Sequence, residues 1–81
     1  MNLFVGHLHY NTKEEELNEL FSNYGDVVSV NIIRDHQTNK SKGFAFVEIW
    51  DSEDAERAIA ELDGYMLRGH QISVSEAKPK A

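Results

Sequence analysis

Eighty-one residues with 14 acids, eight bases and no cysteine, for a formal charge of −6, describe one small domain with room for a single core. Apolar residues make up 41% and charged residues 27%, the balance of a folded soluble chain rather than a disordered or fibrous one, and no apolar run approaches the roughly 20 residues of a membrane-spanning helix. The missing cysteine excludes disulfides, thiolate zinc sites and thiol nucleophiles, and with no signal-like leader after Met1 the chain is expected inside the cell, in the cytoplasm, or in the nucleus of a eukaryotic source.

Leu3-Phe4-Val5 is a short β-prone run closed by Gly6. Thr12-Lys13-Glu14-Glu15 fits a capping box with Thr12 as N-cap and Glu15 reaching back. Leu17, Leu20, Phe21 and Tyr24 then recur at helical spacing, which predicts a helix over about Lys13 to Asn23, stopped by Gly25. Val28, Val30 and Ile32 alternate with Ser29, Asn31 and Ile33 as a second strand, and residues 34–41 are polar and turn-rich. Phe44 to Trp50 is a third strand. Asp51 or Ser52 caps a second helix striped by Ala55, Ala58, Ile59 and Leu62 and ended by Asp63-Gly64. Leu67, Ile72 and Val74 supply a last strand, with a turn at Arg68-Gly69; residues 1–78 form the domain and 79–81 a short polar tail.

The order βαββαβ predicts an α+β, ferredoxin-like sandwich: two helices on one face of a four-stranded antiparallel sheet, the other face open to water. Strand side chains alternate between the two faces. In the third strand Ala45, Val47 and Ile49 suit the core, which sends Lys42, Phe44, Phe46 and Glu48 to the open side; Leu3 and Val5 likewise turn Phe4 outward. The opposite parity would bury Lys42 and Glu48 and expose Val47 and Ile49, so the outward rings are the better assignment. Exposed rings on a sheet can stack on unpaired bases, each stack contributing about 1–3 kcal/mol.

Lys42-Gly43-Phe44-Ala45-Phe46-Val47-Glu48-Ile49 resembles the longer signature of the RNA recognition motif, and Leu3-Phe4-Val5-Gly6-His7-Leu8 resembles its shorter companion on the first strand. The similarity spans nearly the whole chain and is closest in style to small single-domain members from bacteria, cyanobacteria included. The resemblance implies that Phe4 and Phe44 stack on bases, that Phe46 packs against sugars or between residues of the bound strand, and that Lys42 meets a phosphate. It implies a backbone contact to a base from the segment after the last strand, Glu76, Ala77 and Lys78. Asn31 and Ser73 are expected on the open face of the edge strands.

Four positions depart from the family pattern. Ile49 replaces a final aromatic but faces the core by parity, so it changes packing rather than binding. His7 stands where asparagine is common, and Gln71 and Ser73 where many relatives carry bases, which predicts a modest affinity. The two helical segments, residues 12–26 and 51–63, hold eleven acids against Lys13 and Arg57, whereas the rest of the chain holds six bases against three acids. The acidity is thus expected on the back, with a mildly basic sheet side.

Other chemistries find little support in the sequence. His7 and His9 have a spacing that could chelate a metal, but without further ligands they read as surface histidines. Asp35 and Glu48 show no pairing for acid/base catalysis, and the glycines form no phosphate-cradling loop. Trp50 is expected to pack against the second helix at the strand's end, and Tyr10, Tyr65 and Met66 fall in or beside loops away from the ligand. The expectation is a monomeric module for single-stranded RNA with no cofactor, metal, membrane or enzymatic role. No residue separates RNA from single-stranded DNA, and the alternative is a module that holds a protein partner through this face or its acidic helices.

Overall fold

The computed structural model describes residues 1–77. Its elements are β1 (Asn2–Gly6), α1 (Glu14–Ser22), β2 (Val27–Arg34), β3 (Ser41–Ile49), α2 (Ser52–Leu62), β4 (Met66–Leu67), β5 (His70–Gln71) and β6 (Ser73–Glu76). β2, β3, β1 and β6 lie in that spatial order in one antiparallel sheet, so the two signature strands are the central pair. The helices fill one side of it. Leu3 and Val5 of β1, Ala45, Val47 and Ile49 of β3, and Ile32 and Val74 from the outer strands meet Leu17 and Phe21 of α1 and Ala55, Ala58 and Leu62 of α2 in one buried cluster. Each large side chain so buried stabilises the fold by roughly 1.5–3 kcal/mol. The expected α+β sandwich is the observed one.

The cap of α1 departs from the sequence reading. The N-cap is Lys13, whose N–H donates to Glu16 Oε1 at 3.2 Å, while Glu16 N–H donates to the Lys13 carbonyl at 3.1 Å. The box has slipped by one residue. Glu14, Glu15 and Glu16 offer a reach-back carboxylate in more than one register, and burial of Leu17 and Phe21 against the sheet selects the register. Thr12 is drawn inward instead: it is buried, and its hydroxyl finds no partner among the described residues. In α2 the cap is Asp51, whose Oδ1 accepts from the N–H groups of Glu53 and Asp54 at 2.8 and 3.3 Å.

Three strand-level expectations are corrected. Val28 does not share the side of Val30 and Ile32 and is exposed, because a register shift between Val27 and Ser29 turns it out of the β2 alternation. The expected last strand is divided: β4 and β5 form a separate hairpin around Arg68 and Gly69, both at positive φ, and only residues 73–76 join the main sheet. Trp50 does not pack on α2. It is 77% exposed just beyond β3, where its backbone N–H donates to the Asp26 carbonyl.

Candidate nucleic-acid interface

On the side of the sheet away from the helices, Phe4 faces Phe46 across the β1–β3 ladder. Their ring centroids are 5.8 Å apart in an edge-on arrangement; Phe4 and Phe44 lie 5.7 Å apart and nearly parallel, at 29°; Phe44 and Phe46 stand 6.3 Å apart, edge-on. All three rings are in mutual contact range. The alternate positions Leu3, Val5, Ala45 and Val47 are wholly buried, so the two faces of the sheet divide as the alternation of the sequence predicts.

The strand register extends this patch into a row across the sheet. Asn31 of β2 is opposite Phe46, Phe46 is opposite Phe4, and Phe4 is opposite Ser75 of β6. Asn31 therefore lies where the sequence placed it. Ser73, opposite Gly6, is on the same face one step along. Ser75 went unnoticed in the sequence, although the burial of Val74 between the two serines implies that both face outward. Gly6 is held bare by its neighbours: a β-carbon there would stand 2.8 Å from the Phe4 ring and 2.9 Å from Ser73 Oγ.

The remaining predicted residues are less central. Lys42 is exposed, and Ser41 before it pairs with Arg34, whose guanidinium turns to the helix side, so Lys42 falls on the side of Phe44. Gly43, at φ 88°, carries the chain through a bulge there, and its carbonyl accepts from Leu8 N–H at 2.9 Å. Glu76 is opposite Leu3 and so has the parity of the helix side. Ala77 N–H donates to the Asn2 carbonyl at 2.9 Å and is thereby tied to β1. Lys78 lies outside the described residues.

His7 follows β1 at φ 62°, a left-handed position that asparagine and histidine tolerate better than most residues. Its Nδ1 donates to the Gln71 carbonyl at 2.9 Å, so the substitution supplies a local bond of its own. The rings of His7 and His9 both approach His70, at 5.7 and 5.1 Å. Even so, among the described residues no three histidine or acidic side chains converge to hold a metal.

The charge distribution differs from the sequence estimate in one respect. Arg34 forks onto Glu14 at 2.7 and 3.0 Å, and Arg68 onto Glu16 at 2.7 to 3.0 Å. Both arginines, reckoned with the sheet side, are thus spent on α1. The Arg34 hydrogen bonds lower the Glu14 pKa to about 2, and those of Arg68 hold Glu16 below the ordinary carboxylate range. Lys40 and Lys42 remain near the open face. Asp35 beside them is held low chiefly by the N–H groups of Thr38 and Gln37, with a smaller contribution from Lys42.

Residues 3–73 match the family model of the RNA recognition motif. The chain is 40% identical over 80 residues to RbpD of Nostoc sp., covering 99% of this chain and 85% of that protein. It superposes on the crystal structure of RNA-binding protein PG1 with a TM-score of 0.95, at 43% identity, covering 100% of this chain and 98% of that one. The Rna15 RNA recognition motif with bound RNA (GU) superposes with a TM-score of 0.86 at 32% identity, over 96% of this chain and 83% of that one. With both signature strands central in the sheet and their three rings gathered on its open side, the chain belongs to the RNA recognition motif family.

Proposed function

We propose that the open face of the sheet binds a short stretch of single-stranded RNA. Bases stack on Phe4 and Phe44, Phe46 packs against a sugar, Lys42 meets a phosphate, and Asn31, Ser73 and Ser75 offer polar groups to base edges. One observation carries this reading: three phenylalanine rings in mutual contact lie on the solvent side of a sheet whose other side already supplies a complete core. Rings on that side gain less from burial than they would in the core, whereas each gives a flat surface for a base. RNA bound to the structurally similar Rna15 domain supports the choice of ligand. The same reading takes the chain as a monomeric cytoplasmic module with no catalytic step, and single-stranded DNA as a weaker ligand of the same face.

The test is an ¹⁵N-HSQC titration with short homopolymeric RNAs and then the matching DNAs. Shifts confined to the neighbourhood of Phe4, Phe44, Phe46 and Asn31 are expected, stronger for RNA. Phe44→Ala should lower affinity by about tenfold or more, the loss of one base stack, with an unchanged circular dichroism spectrum. A spectrum unmoved by millimolar oligonucleotide would sink the reading and turn attention to a protein partner.

A further inference from the structure

The open face of the sheet carries an acid. Glu48 stands between Val47 and Ile49, both wholly buried, so its side chain leaves on the side of Phe44 and Phe46. The only other acid in a described strand, Glu76, has the parity of the helix side. The cross-strand neighbours of Glu48 are neutral, Asn2 on β1 and Ser29 on β2. Lys42, the base on the same side of β3, lies toward the opposite end of that strand. Glu48 accordingly enters no ion pair among the described residues.

A carboxylate left without a cation on this face repels phosphate, and so works against a surface that only collects backbone charge. Its position gives it another use. The ladder pairs Phe4 with Phe46 and Asn2 with Glu48, which makes Glu48 a diagonal neighbour of Phe4. Diagonal neighbours in an antiparallel pair are about 7–8 Å apart, within reach of a long side chain. On the other diagonal is Phe44, whose ring is 5.7 Å from that of Phe4. A base laid on Phe4 thus has a ring toward one end of the sheet and a carboxylate toward the other.

An ionised carboxylate only accepts hydrogen bonds. Guanine is the base whose pairing edge sets two donors side by side, N1–H and the N2 amino group, and one carboxylate can take both in parallel. Adenine and cytosine offer an amino group beside an acceptor nitrogen. Uracil offers a single N3–H between two carbonyl oxygens. Each of these three brings a lone pair against the carboxylate where guanine brings a proton. We propose that Glu48 makes the Phe4 position selective for guanine, by accepting from N1–H and the N2 amino group of the base stacked there. The inference rests on the sheet reading above and adds to it the base that this face prefers.

The test is fluorescence anisotropy on the full chain with hexauridylate, and with three hexanucleotides in which one central uridine is replaced by guanosine, adenosine or cytidine. The strand can slide to set the replaced base over Phe4. The guanosine RNA should bind about tenfold tighter than the other three, the discrimination of one bidentate pair. Glu48→Gln keeps the length of the side chain and turns one acceptor into a donor. It should erase the guanosine preference while binding hexauridylate at least as well as the wild type, because a repulsion is gone. A wild type that binds all four RNAs alike overturns the inference. So does a Glu48→Gln variant that keeps the preference, or one whose affinity shifts equally for all four, the mark of a general charge or packing effect. In those cases a loss of binding in Phe44→Ala leaves the sheet reading standing. Phe44→Ala binding all four at full strength overturns the sheet reading, and the role of Glu48 with it.

Discussion

Gly6 sits between the Phe4 ring and Ser73 Oγ, leaving no room for a methyl group. Gly6→Ala must push the ring aside, so it should weaken RNA binding by about 1 kcal/mol, part of one stack, while the fold persists with Phe4 displaced into solvent. Anisotropy paired with a thermal melt checks this, and unchanged affinity would mean that the ring position does not matter. Thr12 presents the opposite case, a polar atom buried without a partner. Thr12→Val keeps the shape and removes the orphaned hydroxyl, so it should stabilise the protein by about 1 kcal/mol in chemical denaturation. The two residues also mark what the sequence could reveal. The outward rings were legible because burying Val47 and Ile49 forces Phe44 and Phe46 the other way. Thr12 was not, because a threonine before three glutamates is as good a cap on paper as the lysine that takes the role.

Individual elements were legible to the extent that a period of apolar residues defined them. α1, α2, β1 and β3 each have one and lie close to where it puts them, although β3 begins at Ser41, three residues before Phe44. β2 begins with a register shift that no period records, so Val28 was misassigned, and the short β4–β5 hairpin has too few residues to show a pattern. Nor does periodicity report the tie between α1 and the end of β2. There the Arg34 fork lowers the Glu14 pKa to about 2 from an ordinary 4.5. A carboxyl whose pKa is lower in the folded state stabilises the fold above its ordinary value and loses that contribution as pH falls toward the folded one. Thermal melts between pH 4.5 and 2 should therefore decline more steeply for the wild type than for Glu14→Gln. Since both partners are partly exposed, high salt should narrow the gap. Parallel pH profiles would show that the fork contributes nothing to folding.

For the whole molecule, net charge is the property that the sequence reports most simply and that bears least directly on the site. A charge of −6 argues against binding phosphate, and two of the six bases that made the sheet side basic in the sum by segments are Arg34 and Arg68, which the fold pairs with α1. Pairing across the fold cannot be summed from composition. What faces the RNA is a thin set of lysines on a molecule that otherwise repels it, so stacking should dominate affinity and salt should act weakly. With two or three phosphate contacts the log–log slope should be about −1.4 to −2. Ser75 offers the sharper test, because it lies opposite Phe4 on an edge strand with its side chain in solvent. Ser75→Lys adds one cation beside the rings without touching the core, so it should tighten RNA binding and steepen that slope by about 0.7. It should do so while Phe44→Ala in the same background still removes most of the affinity, because a cation at the edge attracts the strand but offers no base a surface. If the lysine instead rescued Phe44→Ala to wild-type strength, charge rather than stacking would be the principal force at this face.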